Sequence, residues 1–283
     1  MPLEYRNIIV FLLIFALFLG ATIEISEGSV LVGIILFAIA VLLISRVKIG
    51  KSYAIKHSKF RIFIGAVIIA CDILYNITVS WELGTLDIMT FLLGASLIAS
   101  AVDKNEISRI GKFGTYMSAT FIVLFLIFFS LFNYLEIDFT HKFDHYFVMM
   151  PSIIIINALG LPIEVIGIET VRIKGVVEDM NVIIGGPCSG LYSMFLLIGI
   201  IVAYKHIENI EKKRFFILLP ASIAIAYTAN LTRVTTLYVI GYYFGKDLMY
   251  MVHVHLGWII FVVVVAALLH VLEKMSASAV RHD

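Results

Sequence analysis

Three side chains in this sequence, Cys188, Arg233 and His253, are of the types that nucleophilic acyl transfer needs. A thiolate attacks a carbonyl carbon, a cationic donor stabilises the oxyanion that develops, and an imidazole carries the proton to the leaving amine. Cys188 stands within Gly-Gly-Pro-Cys-Ser-Gly-Leu-Tyr-Ser-Met, residues 185–194, where a polar segment gives way to the apolar run that begins at Leu191. The glycines and proline allow a sharp turn there. The N–H groups and dipole at the helix start beyond it favour a thiolate. Taken alone, such a cysteine reads rather as a small, inert packing residue. What singles it out is the company it keeps later in the chain.

The elements that must position these groups follow from composition. Apolar residues make up 61% of the 283, charged ones 14%, and the mean hydropathy is +1.03. A soluble domain cannot bury that much hydrocarbon, so the chain reads as an integral membrane protein. A formal charge of +1 gives no basic field, and nothing resembles a nucleic-acid-binding module, so nucleic acid is set aside. The two cysteines, Cys71 within an apolar run and Cys188 at the edge of another, do not form a disulfide framework.

Runs long enough to cross about 30 Å of hydrocarbon fall at 7–23, 29–45, 61–80, 86–102, 113–133, 189–204, 215–232 and 254–272. The fold class expected is thus an all-α polytopic membrane protein of about eight transmembrane helices, forming one membrane domain over 1–283. The first run lacks a small-residue cleavage site and reads as a retained helix. Arg46, Lys48, Lys51, Lys56, Lys59 and Arg61 join runs two and three without an acid among them. Lys104, Arg109 and Lys112 join four and five, and Lys205, Lys212, Lys213 and Arg214 join six and seven. These loops are expected in the cytoplasm, with both termini, and the acid-bearing alternate connections outside.

The long outer connection, 134–187, is expected to be an extracytoplasmic insertion before the sixth span. Phe147 to Leu159 is apolar but short and interrupted by Pro151, which predicts a helix lying at the interface. A true crossing there would move Cys188 to the cytoplasm and break the charge bias. Leu161-Pro162 predicts a turn, and Ile168–Lys174 and Val176–Ile184 predict a short β-hairpin around Gly175.

Depth then groups the reactive residues. Arg233 follows Arg214 by nineteen residues, roughly 28 Å of helix, which puts it at the outer edge of span seven. Asn230 lies three residues earlier on the same face, where its amide can orient the guanidinium or hold substrate backbone. Counting back about twenty residues from Glu273 and Lys274 puts His253 at the outer end of span eight. Blander readings stand beside each: an arginine near a helix end snorkels to headgroups, and an interfacial histidine is simply solvated. His253 and His255 point to different helix faces and no carboxylate or thiol completes a site, so no metal and no cofactor is expected. His141 and His145 read as solvated loop histidines. Cys71 reads as packing, and Asp72 as facing the bundle interior. Tyr238, Tyr242, Tyr243, Tyr250 and Trp258 read as an outer aromatic belt.

In Cys188-Ser189-Gly190-Leu191, Asn230-Leu-Thr-Arg233-Val234 and His253-Val-His-Leu-Gly257-Trp258, the sequence resembles the exosortase and archaeosortase family of membrane transpeptidases. Leu159-Gly160-Leu161-Pro162-Ile163 resembles that family's Leu-Gly-Ile-Pro-Val turn, and Gly-Gly-Pro before the cysteine departs from its usual small or acidic residues. The resemblance covers about 146–262. It implies Cys188 as nucleophile, Arg233 as stabiliser of the thiolate or oxyanion, and His253 as third catalytic member. His255 competes for that place; His253 is the one four residues before Gly257. Ser189, Gly190, Asn230, His255 and Gly257 would support the site or the substrate. Such an enzyme works at the outer surface of a prokaryotic cell membrane on secreted proteins with a C-terminal tail of signature, transmembrane helix and basic cluster. It passes them through a thioacyl intermediate to a lipid or cell-envelope amine.

The rival from another class is a multi-pass transporter with Asp72, Arg233 and the histidines along a polar path. Against it, the charged groups gather at one interface and no inverted repeat is evident. A thiol oxidoreductase would want paired cysteines, which the sequence lacks.

Overall fold

The computed structural model describes residues 58–79, 84–102, 105–184, 189–208 and 212–257, with scattered positions between 31 and 39 and between 259 and 267. It is mostly helical, with one small sheet. Helices α1 (Lys59–Val79), α2 (Thr85–Ser100) and α3 (Asn105–Phe125) are followed by a π-helical stretch, Leu126–Leu131, that carries α3 on to Tyr134. Then come α4 (Phe139–Phe143), a second π-helical stretch (Asp144–Met149) and α5 (Met150–Ala158). Strands β1 (Ile163–Val165), β2 (Thr170–Lys174) and β3 (Asp179–Ile183) precede α6 (Leu191–Glu208) and α7 (Lys212–Phe244). The last helix, α8, covers 246–257 and is helical at the described positions beyond.

Among the described residues, Lys59–Val79, Ile107–Tyr134 and Lys212–Phe244 are long and apolar enough to cross a membrane. Thr85–Ser100 and Leu191–Ile207 are apolar but shorter. The expected spans three to seven coincide with α1, α2, α3, α6 and α7; span one lies outside the described residues, and spans two and eight are described only in part.

The chain divides into two compact units. One holds the described residues of 49–138 and 192–224. Small residues let its helices approach closely: a Cβ added at Gly65 of α1 would lie 2.6 Å from the Gly94 carbonyl of α2. Ser108 donates to the Ser100 carbonyl at 2.8 Å, so a buried hydroxyl is satisfied where water is scarce. Phe121 of α3 meets Phe195 of α6 edge to face, centroids 6.1 Å apart. Phe60, Phe63 and Leu74 of α1 point outward, as apolar side chains do against lipid. Cys71, expected to pack, is exposed on this helix, and Asp72 beside it is half-buried. Arg109 and Lys112, expected in a loop, belong to α3, and Lys212, Lys213 and Arg214 to α7. Charge marks a membrane boundary, whereas a helix continues past it while its main chain stays bonded.

The other unit holds the described residues of 139–191 and those from 225 onward. Its sheet is an antiparallel meander, β1-β2-β3, with Val171 opposite Val182 and Ile173 opposite Met180. Alternation puts Val171, Ile173 and Met180 on one buried face, against Val148, Met149, Ile153 and Ile156 from the α4–α5 arm and Val234 and Tyr238 of α7. Tyr238 is therefore core and not part of an aromatic belt: it lies one turn beyond Val234 on the buried stripe of α7.

Several boundaries correct the expectations. The predicted hairpin exists, but Val176 and Val177 form its loop, and β1 adds a third strand, with Ile163 opposite Ile173. Val176 leaves the ladder because its N–H donates at 2.8 Å to the Tyr242 carbonyl of α7. The predicted helix Phe147–Leu159 begins at Phe139, and Pro151 is absorbed at the start of α5 behind the π-helical stretch. A widened turn relieves the clash a proline ring makes with the preceding turn. The helix that carries expected span seven, 215–232, runs on to Phe244, and the helix that carries the start of expected span eight, 254–272, begins at 246. Gly241, Tyr242 and Tyr243 lower hydropathy without breaking the helix, which breaks at Gly245, at φ +84°. His141 and His145, expected to be merely solvated, tie the α4 arm to the loop before β2: His141 Nδ1 meets the Glu169 carboxylate, and His145 Nδ1 meets the Ile168 carbonyl at 2.6 Å.

Candidate active site

The site grows from one stripe of α7. Asn230, Arg233, Val234, Leu237 and Tyr238 recur at helical spacing and so share a face. Two hydroxyls on the same helix are satisfied within it, Thr232 donating to the Thr228 carbonyl at 2.9 Å and Thr236 to that of Thr232 at 2.8 Å. Such internal bonding lets a polar-dotted helix run on in apolar surroundings.

At one end of the stripe, Asn230 Nδ2 donates to the Ser189 carbonyl at 2.8 Å, both residues being buried. Gly190 makes this possible twice over. Its φ of +80° is a left-handed conformation that side chains disfavour, and a Cβ there would sit 2.5 Å from Asn230 Cγ. Ser189 Oγ in turn accepts from the Leu191 N–H at 3.4 Å, a weak cap on the first turn of α6. Asn230 thus binds the chain's own backbone, where the sequence suggested the guanidinium or a substrate. Cys188 itself lies outside the described residues; its neighbour Ser189 is the residue that Asn230 holds.

One turn further along, Arg233 lies against α8. Its Nη2 donates to the main-chain carbonyl of His253 at 3.5 Å, the long end of hydrogen bonding. A Cβ at Gly257 would lie 3.0 Å from the same Nη2 and 3.1 Å from Cζ. The spacing His-x-x-x-Gly therefore has a steric meaning: one helical turn presents a carbonyl and a bare backbone to a flat cation. Arg233 is inside α7, eleven residues before its end, and His253 is in the interior of α8, seven residues after Lys246.

Arg233 and His253 line one cavity of about 200 Å³ with Val182, Ile183 and Ile184 at the end of β3, Val234, Leu237 and Tyr238 of α7, and Met249 and Tyr250 of α8. His255 does not line it, consistent with two residues of helical offset from His253. The start of α8 is fixed from the sheet. Glu178, in the β2–β3 loop, accepts from the Lys246 N–H at 2.8 Å, an acidic cap at a helix N-terminus. The structure thus brings together Arg233, His253 and Gly257, and separately Ser189, Gly190 and Asn230, the two groups sharing one face of α7. The residues of the cavity walls were not singled out as such from sequence, although Met249 and Tyr250 stand one helical turn from His253, and Leu237 one turn from Arg233.

A family model described as transmembrane exosortase matches residues 24–270. No curated protein and no solved structure matches the chain. The family is one of membrane proteins, which agrees with the apolar helices and with a membrane location. Membership suggests a cysteine peptidase or transpeptidase in general terms. With 24–270 matched out of 283 residues, this chain belongs to the transmembrane exosortase family.

Proposed function

We propose that this chain is a membrane-embedded cysteine transpeptidase that uses Cys188 as nucleophile, with Arg233 and His253 as its partners. The Cys188 thiolate attacks a peptide carbonyl carbon of a tailed secreted protein, and Arg233 stabilises the oxyanion. The C–N bond breaks as the imidazole of His253 gives a proton to the leaving amine, and a thioester remains on Sγ. A lipid or envelope amine then attacks the thioester while the now neutral imidazole of His253 takes its proton, forming the new amide and returning the thiolate. The observation that carries this reading is that Arg233 lies on the His253–Gly257 turn and lines one cavity with His253, while Asn230 on the same helix holds Ser189, the residue after Cys188. The wider arrangement belongs to the same proposal: eight spans forming a single domain, both termini in the cytoplasm, and a reaction at the outer surface on the tail's signature.

The test is intact-mass analysis of the purified protein after brief exposure to a thiol-reactive probe at neutral pH, with and without co-expressed tailed proteins. Fast labelling confined to Cys188, or a thioester adduct there, is the expected result. Normal processing of tailed proteins by a folded Cys188→Ala variant would rule the mechanism out.

A further inference from the structure

Among the described residues, the outer edge of β3 has its main chain open. Ile184 N donates to the Glu169 carbonyl at 2.8 Å, which extends the β2–β3 ladder by one pair. In an antiparallel ladder alternate residues bond to the neighbour, so Ile184, Val182 and Met180 turn their main-chain groups toward β2. Asp179, Asn181 and Ile183 turn theirs the opposite way. Among the described residues no main-chain partner meets Asn181 or Ile183 on that side, and their side chains are exposed. Such a row of donors and acceptors is a template for another strand, and it is costly to leave bare where water is scarce.

That edge runs beside the cavity just described, since Val182, Ile183 and Ile184 line it together with Arg233, Leu237, Met249 and His253. Most of the lining is apolar, with the guanidinium of Arg233 placed to complement an oxygen-bearing occupant. An acyl chain supplies neither the alternating donors and acceptors that the edge calls for nor an oxygen deep in the cavity. An extended peptide supplies both.

We propose that the substrate's signature binds as a fourth strand on the open edge of β3, its main chain paired with Asn181 and Ile183. One apolar side chain enters the cavity beside Leu237 and Met249, and a carbonyl or carboxylate oxygen faces Arg233. This rests on the transpeptidase reading and adds how the substrate is held. Specificity then divides in two: the ladder accepts any extended segment, and the cavity selects one side chain by size and polarity.

Disulfide trapping in native membranes tests it. The full chain carrying Cys71→Ser and Cys188→Ala receives a single cysteine at Ile183 or at Asn181. It is co-expressed with a reporter protein bearing a signature, helix and basic tail from the host's own secreted proteins, with one cysteine moved through the signature. Strand addition predicts cross-links at alternate reporter positions, with the best position moving by two residues between the Ile183→Cys and Asn181→Cys probes. A flat profile, or none although the wild-type enzyme processes the reporter, would overturn the proposal and leave the transpeptidase standing; a lipid occupant gives this second result. Ile183→Pro supplies an independent readout, because a proline is compatible with an edge strand where its missing N–H faces outward. Processing should fall at least tenfold below that of Ile183→Ala, and equal rates in two folded variants would also overturn it. Failure of the transpeptidase reading is separate: Cys188→Ala alone would then process the reporter normally.

Discussion

Gly257 holds the guanidinium of Arg233 against bare backbone, a Cβ there falling 3.0 Å from Nη2. Alanine is the better helix former by about 1 kcal/mol, so stability and placement pull in opposite directions at this position. Gly257→Ala should therefore melt at or above the wild-type temperature in detergent while its processing rate drops several-fold. Undiminished processing would mean that the seat of Arg233 does not matter. Leucine at 257 should displace the guanidinium outright and abolish activity.

Arg233→Lys tests the shape of the cation. A lysine keeps the charge but not the planar fork of donors, so it cannot both meet the His253 carbonyl and present a second N–H to an oxyanion. Processing should drop by at least tenfold, with thiol labelling at Cys188 followed in parallel. Near-normal turnover would reduce the role of Arg233 to simple charge.

Gly190→Ala is expected to destabilise strongly, by about 2 kcal/mol or more, since the left-handed backbone alone costs about 1–2 kcal/mol and the new methyl meets Asn230 Cγ at 2.5 Å. Combining it with Asn230→Ala should be less than additive, because the second change removes Cγ and Nδ2 and leaves only the strain and the Cβ contact at 2.8 Å. Strict additivity in thermal or denaturant unfolding would show that the two residues do not meet.

Asn230→Ala by itself leaves the buried Ser189 carbonyl without its 2.8 Å donor, a loss of about 1–3 kcal/mol. The rate of probe labelling at Cys188 should change as well, since the residue beside it is no longer tied to α7. An unchanged rate would uncouple this hydrogen bond from the nucleophile.

Glu178→Ala removes the acceptor for the Lys246 N–H and should cost about 1 kcal/mol, with Glu178→Gln losing much less because an amide oxygen still accepts. Equal melting temperatures for the two variants would deny the cap its role.

What the sequence by itself determined is the part governed by local rules. Apolar runs mark helices in a membrane protein, and α1 and α2 fall within two residues of the runs that announced them. The run Ile168–Lys174 marked a strand, observed at Thr170–Lys174, and the three motifs around Cys188, Arg233 and His253 carried the resemblance to the family. Hydropathy, however, reads how a side chain partitions, not where the main chain stops bonding. The end of α7 at Phe244 and the start of α8 are set by Gly245 and by Glu178, whose carboxylate acts across 68 residues of sequence. No local pattern contains that contact. Tertiary structure likewise decided that Tyr238 is core, that Asn230 holds the Ser189 carbonyl, and that Gly257 is bare because Arg233 lies on it. In each case the deciding partner is distant in the chain and becomes a neighbour only when the helices pack.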